Sequence, residues 1–242
     1  MNSTIAIVGR GRLGPALAGS LRAAGHSVLG PLGRGADGAG ADVVLLCVPD
    51  GQIAAAAEAV APRPGLLVGH CSGATPLDVL APHEALGLHP LMTVTRDGAA
   101  FAGAGCAVGG TTDSALAMAR SLAAALGMQP FEVADVDRAA YHAAGAIAAN
   151  FLVTIEAAAE RLAATAGVPR EALVPLARAA VENWAALGPE RALTGPIARG
   201  DEAVVARHRA AIAVRAPELS ELYDVLARAT REIATGRPEV PA

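Results

Sequence analysis

Residues 4–14 read Thr-Ile-Ala-Ile-Val-Gly-Arg-Gly-Arg-Leu-Gly, and this stretch decides the fold. Its first five residues form an apolar run that predicts a buried parallel strand, and a helix-like periodicity begins directly after it. Glycines spaced G-x-G-x-x-G between a strand and a helix let the backbone approach a pyrophosphate, which the amides at the helix N-terminus can bind. The stretch therefore predicts a dinucleotide site, for which we expect binding by Gly9, Arg10, Gly11, Arg12, Leu13 and Gly14.

Strand-like and helix-like patterns alternate through the first half of the chain. Further strands are predicted at residues 27–29, 42–48, 66–69, 86–91, 105–108 and 129–133, with helical periodicity between several of them. Such alternation is typical of a parallel sheet with right-handed crossovers. From about Asp135 only helical patterns remain, including one long helix at 136–166. The predicted fold is α/β, with a dinucleotide-binding domain at residues 1–134 and an all-helical domain at 135–242.

The composition indicates a globular protein and excludes several functional classes. Hydrophobic residues make up 53% of the 242 residues and charged residues 17%, and the net charge of -4 argues against nucleic-acid binding. The three cysteines are widely spaced, so neither a disulfide framework nor a metal site is expected. The most apolar run, residues 139–155, is interrupted by Tyr141, His142 and Asn150, which makes it a poor membrane span. With no visible secretory signal, we expect a soluble cytoplasmic protein.

The residues after the second strand indicate which dinucleotide is bound. An NAD site places an acidic residue there to hold the ribose hydroxyls, but residues 30–34 read Gly-Pro-Leu-Gly-Arg and the first carboxylate is Asp37. Arg34 could instead meet a 2′-phosphate, with help from Arg10, although it could equally be a solvated loop residue. We expect NADP(H) as the cofactor, with NAD as the alternative.

Polar residues follow three of the predicted strands. Val48-Pro49-Asp50 stands at the end of one strand, Ser72 follows the next, and His89 lies at the end of a third. In open α/β sheets, ligands bind in the crevice at the carboxyl ends of the strands. We therefore expect Val48, Pro49 and Ser72 to line the cofactor site and His89 to face the substrate.

The helical half carries a second group of candidate residues. His142 and Asn150 are eight positions apart, about 80° around a regular helix, and an Asn buried there needs partners from a ligand or another helix. Thr194 and Arg199 belong to a polar loop that ends at Asp201, which is placed to cap the next helix. Arg199 could clamp a substrate carboxylate or form an ion pair with Asp201.

Taken together, these motifs resemble a Rossmann-like oxidoreductase family whose helical half is known as domain of unknown function 2520. The similarity spans nearly the whole chain, and its most specific part is the Thr-Gly-Pro and Arg-Gly-Asp loop at residues 194–201. The family belongs to the 6-phosphogluconate-dehydrogenase-like group, with ketopantoate reductases, pyrroline-carboxylate reductases and prephenate dehydrogenases as relatives. The resemblance implies a nicotinamide-dependent oxidoreductase that dimerises through its helical domain. Frequent proximity of family members to pantothenate-biosynthesis genes points to ketopantoate as substrate.

The chain departs from these relatives in two respects. Its segment between the second and third strands is shorter than usual for the family, and it contains no lysine. Ketopantoate reductases use a helix lysine, whereas the residue one turn before Asn150 is Ala146. The proton donor for reduction should therefore be a histidine, whose ordinary pKa lies near working pH. We expect His89 in this role, with His142 second and Asn150 orienting the substrate oxygen.

The resulting prediction is NADPH-dependent reduction of a small 2-oxo acid. Arg199 would hold the substrate carboxylate, and Thr194 and Asp201 would shape its loop. An oxidative prephenate-type reaction and an imine reduction are the alternatives within the oxidoreductases. A non-catalytic NADP(H)-binding regulatory protein is the alternative from another class.

Overall fold

The structure, a computed structural model, describes residues 3–95 and 98–236 of the chain. By its internal contacts the chain divides into two compact units, Met1–Ala149 and Asn150–Ala242. The first unit contains a seven-stranded sheet with the strand order β2-β1-β3-β4-β5-β6-β7. The strands are β1 (Thr4–Val8), β2 (Ser27–Leu32), β3 (Val43–Leu46), β4 (Leu67–His70), β5 (Glu84–Leu91), β6 (Gly105–Gly110) and β7 (Gln129–Glu132).

The first five strands are parallel, as predicted, but the sheet as a whole is mixed. β6 pairs antiparallel with β5, and β7 is parallel to β6, so the last two strands run opposite to the predicted parallel strands. The described residues between β5 and β6 contain no helix, and a parallel neighbour would need a crossover connection. The carboxyl ends of β1, β3, β4 and β5 therefore meet at one edge of the sheet.

Two apolar layers cover the faces of this sheet. Residues alternate between the faces along each strand: Ile5 and Ile7 belong to one layer, and Ala6 and Val8 to the other. Helices α1 (Leu13–Ala23) and α3 (Asp113–Ala125) contribute to the first layer, and α2 (Ile53–Glu58) contributes to the second. The sequence thus forms the three-layer arrangement that a buried parallel sheet requires.

Only helices follow β7 in the described residues. They are α4 (Arg138–Ala146), α5 (Leu152–Ala164), α6 (Arg170–Leu187), α7 (Pro189–Ala192), α8 (Glu202–Arg215) and α9 (Ser220–Thr235). A π-helical turn, Ile147–Phe151, separates α4 from α5, so the predicted long helix is not regular throughout. The secondary structure changes after Glu132, near the predicted boundary, whereas the contacts divide the chain later, after Ala149. Helix α4 thus groups with the sheet unit.

Large apolar side chains remain exposed on the helices. Helices α5, α6 and α7 have no buried residue, and Val153, Leu176 and Trp184 are 69%, 69% and 58% exposed. The 30-residue helical segment Asp135–Ala164, with mean hydropathy 1.3, is long and apolar enough to cross a membrane. One such helix is weak evidence for a membrane span. Exposed large apolar side chains thus stand on both α5 and α6.

Candidate functional site

Backbone packing requires two of the three glycines in the turn after β1, and it does not require the third. Gly9 has a φ of +129°, and a Cβ there would lie 2.1 Å from the carbonyl oxygen of Cys47. A Cβ on Gly14 would lie 2.0 Å from the carbonyl oxygen of Gly9, so close backbone packing requires both glycines. A Cβ on Gly11 would meet no atom within 4 Å, and its φ lies outside the left-handed region. Nothing in the described chain requires a glycine at position 11, and the space beside it is open.

A cleft of about 450 Å³ lies between this turn and the strand ends. Its lining contains seven of the sequence-predicted site residues: Gly11, Arg12, Leu13, Val48, Pro49, Ser72 and His89. Asp50, Cys47, Cys71, Pro90, Met92 and Val94 complete it. The lining comes from the turn after β1, the segments after β3 and β4, and the end of β5 with the residues that follow it. This is the edge at which the crevice rule places a ligand.

Two arginines lie at the end of β2, beside the glycine turn. A Cβ built on Gly33 would lie 3.7 Å from Cζ of Arg10, so the Arg10 guanidinium lies against the backbone that follows β2. Arg34 is exposed, and its Nη2 donates to Oε1 of Gln52 at 3.3 Å. Both guanidinium groups therefore belong to the region where the sequence predicts a 2′-phosphate.

The loop after β4 is held by its own polar side chains. The hydroxyl of Ser72 accepts from the backbone N–H groups of Ala74 and Thr75 at 3.2 and 3.0 Å. Nδ1 of the buried His70 accepts from the Ser72 N–H at 3.2 Å, which leaves its Nε2 to donate to the Pro76 carbonyl at 3.3 Å. Burial lowers the pKa of His70, so its neutral ring stabilises the loop rather than exchanging protons with the cleft.

Two free thiols meet in the floor of the cleft. The sulfur atoms of Cys47 and Cys71 are 3.7 Å apart, at the ends of the neighbouring strands β3 and β4. The hydrogen bond with Cys47 and burial raise the pKa of the Cys71 thiol well above its ordinary value. A protonated thiol is a poor nucleophile, so Cys71 contributes packing to the cleft.

His89 forms a cluster with two residues of α4. Its Nδ1 lies 2.6 Å from the hydroxyl of Tyr141, and the His142 ring centroid is 6.2 Å from its own. Burial, followed by the neighbouring His142, lowers the pKa of His89 to about 4, and burial raises the pKa of Tyr141 to about 12. The expectation that His89 titrates near neutral pH is therefore wrong, because the half-buried ring is poorly hydrated.

The same helix supplies a residue that the sequence analysis missed. Arg138 is 4% exposed, and its Nε donates to Oδ1 of Asp135 at 2.6 Å. A Cβ built on Gly109 would lie 3.2 Å from Nη2 of Arg138, so the guanidinium packs on the β6 backbone and its charge helps to lower the pKa of His89. Tyr141 was also missed as a site residue. The one sequence feature that could have indicated Tyr141 is its position beside His142 in an otherwise apolar run.

Asn150 belongs to the second unit and lies within the π turn. Its backbone carbonyl accepts from the Thr154 hydroxyl at 3.0 Å, and the residue is exposed. The premise that its amide is buried is therefore wrong for a single chain. The π turn also changes the angle between His142 and Asn150, because the 80° value holds only for a regular α-helix.

The polar loop before α8 contains the other predicted residues of the second unit. The Arg199 guanidinium donates to the backbone carbonyl of Thr194, so the two residues lie together. Oδ1 of Asp201 accepts from the Val204 N–H at 3.1 Å, which makes Asp201 the N-cap of α8. Between residues 98 and 236 no ion pair joins Arg199 to Asp201. The exposed guanidinium keeps donors for a ligand.

Comparisons with known proteins place this geometry in context. Residues 104–230, more than half of the chain, match the family model described as domain of unknown function (DUF2520), and residues 34–95 match a Rossmann-like domain. A candidate NADP oxidoreductase of Bacteroides fragilis is 21% identical, with a TM-score of 0.81 over 96% of this chain and 98% of that one. A Thermotoga maritima protein is 22% identical, with a TM-score of 0.79 over 96% and 99%. No curated protein matches the chain.

More distant solved structures share the same architecture. The pyrroline carboxylate reductase of Plasmodium falciparum, solved with NADP bound, is 11% identical, with a TM-score of 0.62 over 96% of this chain and 98% of that one. An imine reductase of Streptomyces aurantiacus is 13% identical, with a TM-score of 0.66 over 96% and 98%. At these identities the likeness establishes the fold: a Rossmann-like domain followed by a helical region.

Proposed function

The chain belongs to the DUF2520 family, and from this premise we propose that it is an NADP(H)-dependent oxidoreductase. The observation that carries the proposal is Gly11, which no contact with the described residues requires and which borders an open cleft at a helix N-terminus. A bound pyrophosphate would require it, because only a residue without a side chain lets the backbone approach so closely. Gly11, Arg12 and Leu13 would hold the pyrophosphate, and Val48, Pro49 and Ser72 would line the nicotinamide side. When bound, the reduced nicotinamide supplies a hydride.

For the substrate we propose a small 2-oxo acid, with ketopantoate as the leading member. The family resemblance to ketopantoate reductases suggests it, and His89 in the cleft lining offers a polar group for the substrate oxygen. Arg199 would hold the carboxylate, since a guanidinium binds it with two parallel hydrogen bonds. Thr194 and Asp201 would shape the loop of Arg199, Asn150 would orient the substrate oxygen, and His142 would support His89.

Imine reduction is the second candidate, and the state of His89 favours it. With a pKa of about 4, His89 is neutral at pH 7 and lacks the acidic proton of a histidinium ion. An iminium carbon accepts a hydride without a proton donor for the carbon, so this reaction makes no demand on the histidine. The names of two structural neighbours, an imine reductase and a pyrroline carboxylate reductase, fit the same reading.

Steady-state assays with purified protein test these readings against each other. Turnover of ketopantoate with NADPH supports the first reading, and turnover of pyrroline carboxylate or another cyclic imine supports the second. NADP reduction driven by prephenate would instead establish an oxidative reaction. Tight NADPH binding without turnover of any 2-oxo acid, cyclic imine or prephenate would identify a non-catalytic NADP(H)-binding regulatory protein.

We expect the double variant Arg10→Ala/Arg34→Ala to lose the preference for NADPH. Each guanidinium would pair with the 2′-phosphate, and a charge-assisted hydrogen bond of this kind contributes about tenfold in affinity. The NADPH dissociation constant should rise by about 10- to 100-fold, measured by fluorescence titration. NADH is the matched control ligand, because it lacks the phosphate, and its dissociation constant should not change. An equal loss of affinity for NADPH and NADH would show that the two arginines stabilise the glycine turn and do not contact the 2′-phosphate.

We also propose that two copies of the chain associate through the helical unit, in the cytoplasm. Large apolar side chains on α5 and α6 are exposed in the described part of a single chain, and a homodimer buries such side chains at a large apolar interface. The polar interruptions Tyr141, His142 and Asn150 disfavour the alternative, in which the helix crosses a membrane. The three free cysteines fit a reducing compartment.

Sedimentation analysis tests the dimer directly. The wild-type chain should sediment at twice its chain mass without detergent. Trp184→Arg should shift it toward the monomer, because a charge in the centre of an apolar interface costs several kcal/mol. Val136→Arg is the control, since Val136 is also highly exposed but lies in the first unit. A monomeric wild-type chain, or one that needs detergent to stay in solution, would contradict the proposal.

A further inference from the structure

Tyr141 is placed behind His89 rather than in the cleft itself. Its hydroxyl lies 2.6 Å from Nδ1 of His89, and the two rings meet edge to face with centroids 5.5 Å apart. The Phe131 ring packs on the phenol from β7 at a centroid distance of 5.8 Å. Within the described residues, the phenol hydroxyl has no hydrogen-bond partner other than His89. The phenol therefore bonds to a single group, Nδ1 of His89, and the His89 ring lines the cleft.

The chemistry of the two groups determines the direction of this hydrogen bond. A neutral imidazole has one donor nitrogen and one acceptor nitrogen, and a phenol is a better donor than acceptor because its proton is the more acidic. Tyr141 should therefore donate to Nδ1, which places the single ring proton of His89 on Nε2. Nε2 has no hydrogen-bond partner among the described residues, so its N–H is available to a ligand.

The geometry points to Tyr141 as the positioning residue that fixes the proton of neutral His89 on Nε2 and supplies a proton to Nδ1 once the Nε2 proton has been given to the substrate. This inference rests on the proposed reduction of a carbonyl group. The substrate oxygen, made anionic by the two electrons of the arriving hydride, takes the Nε2 proton. Nδ1 takes the Tyr141 proton in turn, which leaves a phenolate and a neutral ring in the Nδ1–H form. Solvent in the cleft then protonates Nε2 as Nδ1 returns its proton to the phenolate, which restores the starting state. The pair thus delivers a proton with no lysine and without a histidinium ion.

The surroundings of the pair are consistent with a neutral imidazole. Arg138 faces His89 from α4, and its positive charge opposes a histidinium ion. His142 from the same helix and His70 from β4 would oppose that ion in the same way whenever they are protonated. Among the described residues, the Asp50 carboxylate after β3 favours that ion. Among the groups that act on the phenol, Cys106 opposes its ionisation and Arg138 favours it.

Nuclear magnetic resonance of ¹⁵N-labelled histidine tests the inference without any substrate. In the wild-type chain we expect His89 in the Nε2–H form with a pKa of about 4. In Tyr141→Phe the preference for the Nε2–H form should weaken, because no donor then holds Nδ1 as the acceptor. The Nδ1–H form in the wild-type chain, or an unchanged preference for Nε2–H in the variant, would overturn the inference.

A matched pair elsewhere in the chain provides the control. Nδ1 of His208 lies 2.9 Å from the hydroxyl of Tyr223, so Tyr223→Phe removes the same kind of contact from the second unit. That variant should shift the signals of His208 and leave those of His89 unchanged. Tyr141→Phe keeps its aromatic contacts with Phe131 and His89, and circular dichroism would verify that it folds.

Kinetics separate the failure of the inference from that of the proposed function. With the substrate that is turned over, Tyr141→Phe should lower kcat about 10- to 100-fold, the size expected for one hydrogen bond to a charged group. KM and the NADPH dissociation constant should not change. An unchanged kcat in an active enzyme would overturn the role of Tyr141 alone. A wild-type chain that binds NADPH but turns over none of the substrates would overturn the proposed reaction, and with it the proton supply.

Discussion

Gly11→Asp should abolish NADPH binding while the protein stays folded. A Cβ at this position meets no atom of the chain within 4 Å, so the aspartate has room and the native fold is not disturbed. Its carboxylate would project into the cleft beside the helix N-terminus, where the pyrophosphate is proposed to bind. Like charges at such close range cost several kcal/mol, so affinity should fall by about 100-fold or more. Titration of NADPH by fluorescence measures this loss.

Gly19→Asp is the matched control for this experiment. Gly19 lies in α1, the helix that follows the glycine turn, and a Cβ there also meets no atom within 4 Å, but Gly19 is outside the cleft. Both variants should unfold at temperatures close to that of the wild-type chain, and Gly19→Asp should bind NADPH normally. Normal binding by Gly11→Asp would contradict the proposed cofactor site. Equal loss in both variants would indicate an effect on the helix instead.

The parts of the fold that could be predicted are those in which one local pattern decides the structure. The apolar runs at Thr4–Val8 and Val43–Leu46 are buried on both faces, and only a central parallel strand requires this. The glycine turn was located correctly because its spacing reflects backbone contacts, such as that of Gly14 with the Gly9 carbonyl. The direction of β6 could not be predicted, since a strand's apolar pattern is the same in both directions.

The site residues at the ends of the strands could be predicted from the sequence, whereas those contributed by helix α4 could not. Val48, Ser72 and His89 are found in one cleft because parallel strands bring their carboxyl ends together. Tyr141 and Arg138 come from a helix that follows the sheet by sequence, and only the packing of α4 places them near His89. The pKa of His89 depends on that packing as well, so it could not be predicted from the ordinary pKa of histidine.

His89→Ala should lower kcat by about 10²- to 10⁴-fold for a carbonyl substrate, the range typical of a lost general acid. Without the imidazole, the anionic oxygen loses the histidine that lines the cleft, and the Tyr141 hydroxyl loses its hydrogen-bonded connection to the cleft. NADPH binding should not change, because the proposed pyrophosphate contacts lie in the turn after β1. His83→Ala is the control: Nε2 of His83 lies 3.3 Å from the Ala57 carbonyl, and His83 is outside the cleft lining.

His89→Ala also separates the two candidate reactions, and it should change how the free energy of unfolding depends on pH. For an imine substrate, kcat should fall by less than tenfold, because the carbon needs no proton from His89.

Below about pH 6.5 the unfolded chain protonates His89 before the folded chain does, so the free energy of unfolding of the wild-type chain falls as the pH drops toward about 4. The loss reaches about 3 kcal/mol for a change of this size. His89→Ala should lack this part of the acid sensitivity in chemical denaturation. If it keeps both full carbonyl turnover and the wild-type pH dependence, His89 is not the proton donor and His142 becomes the residue to replace.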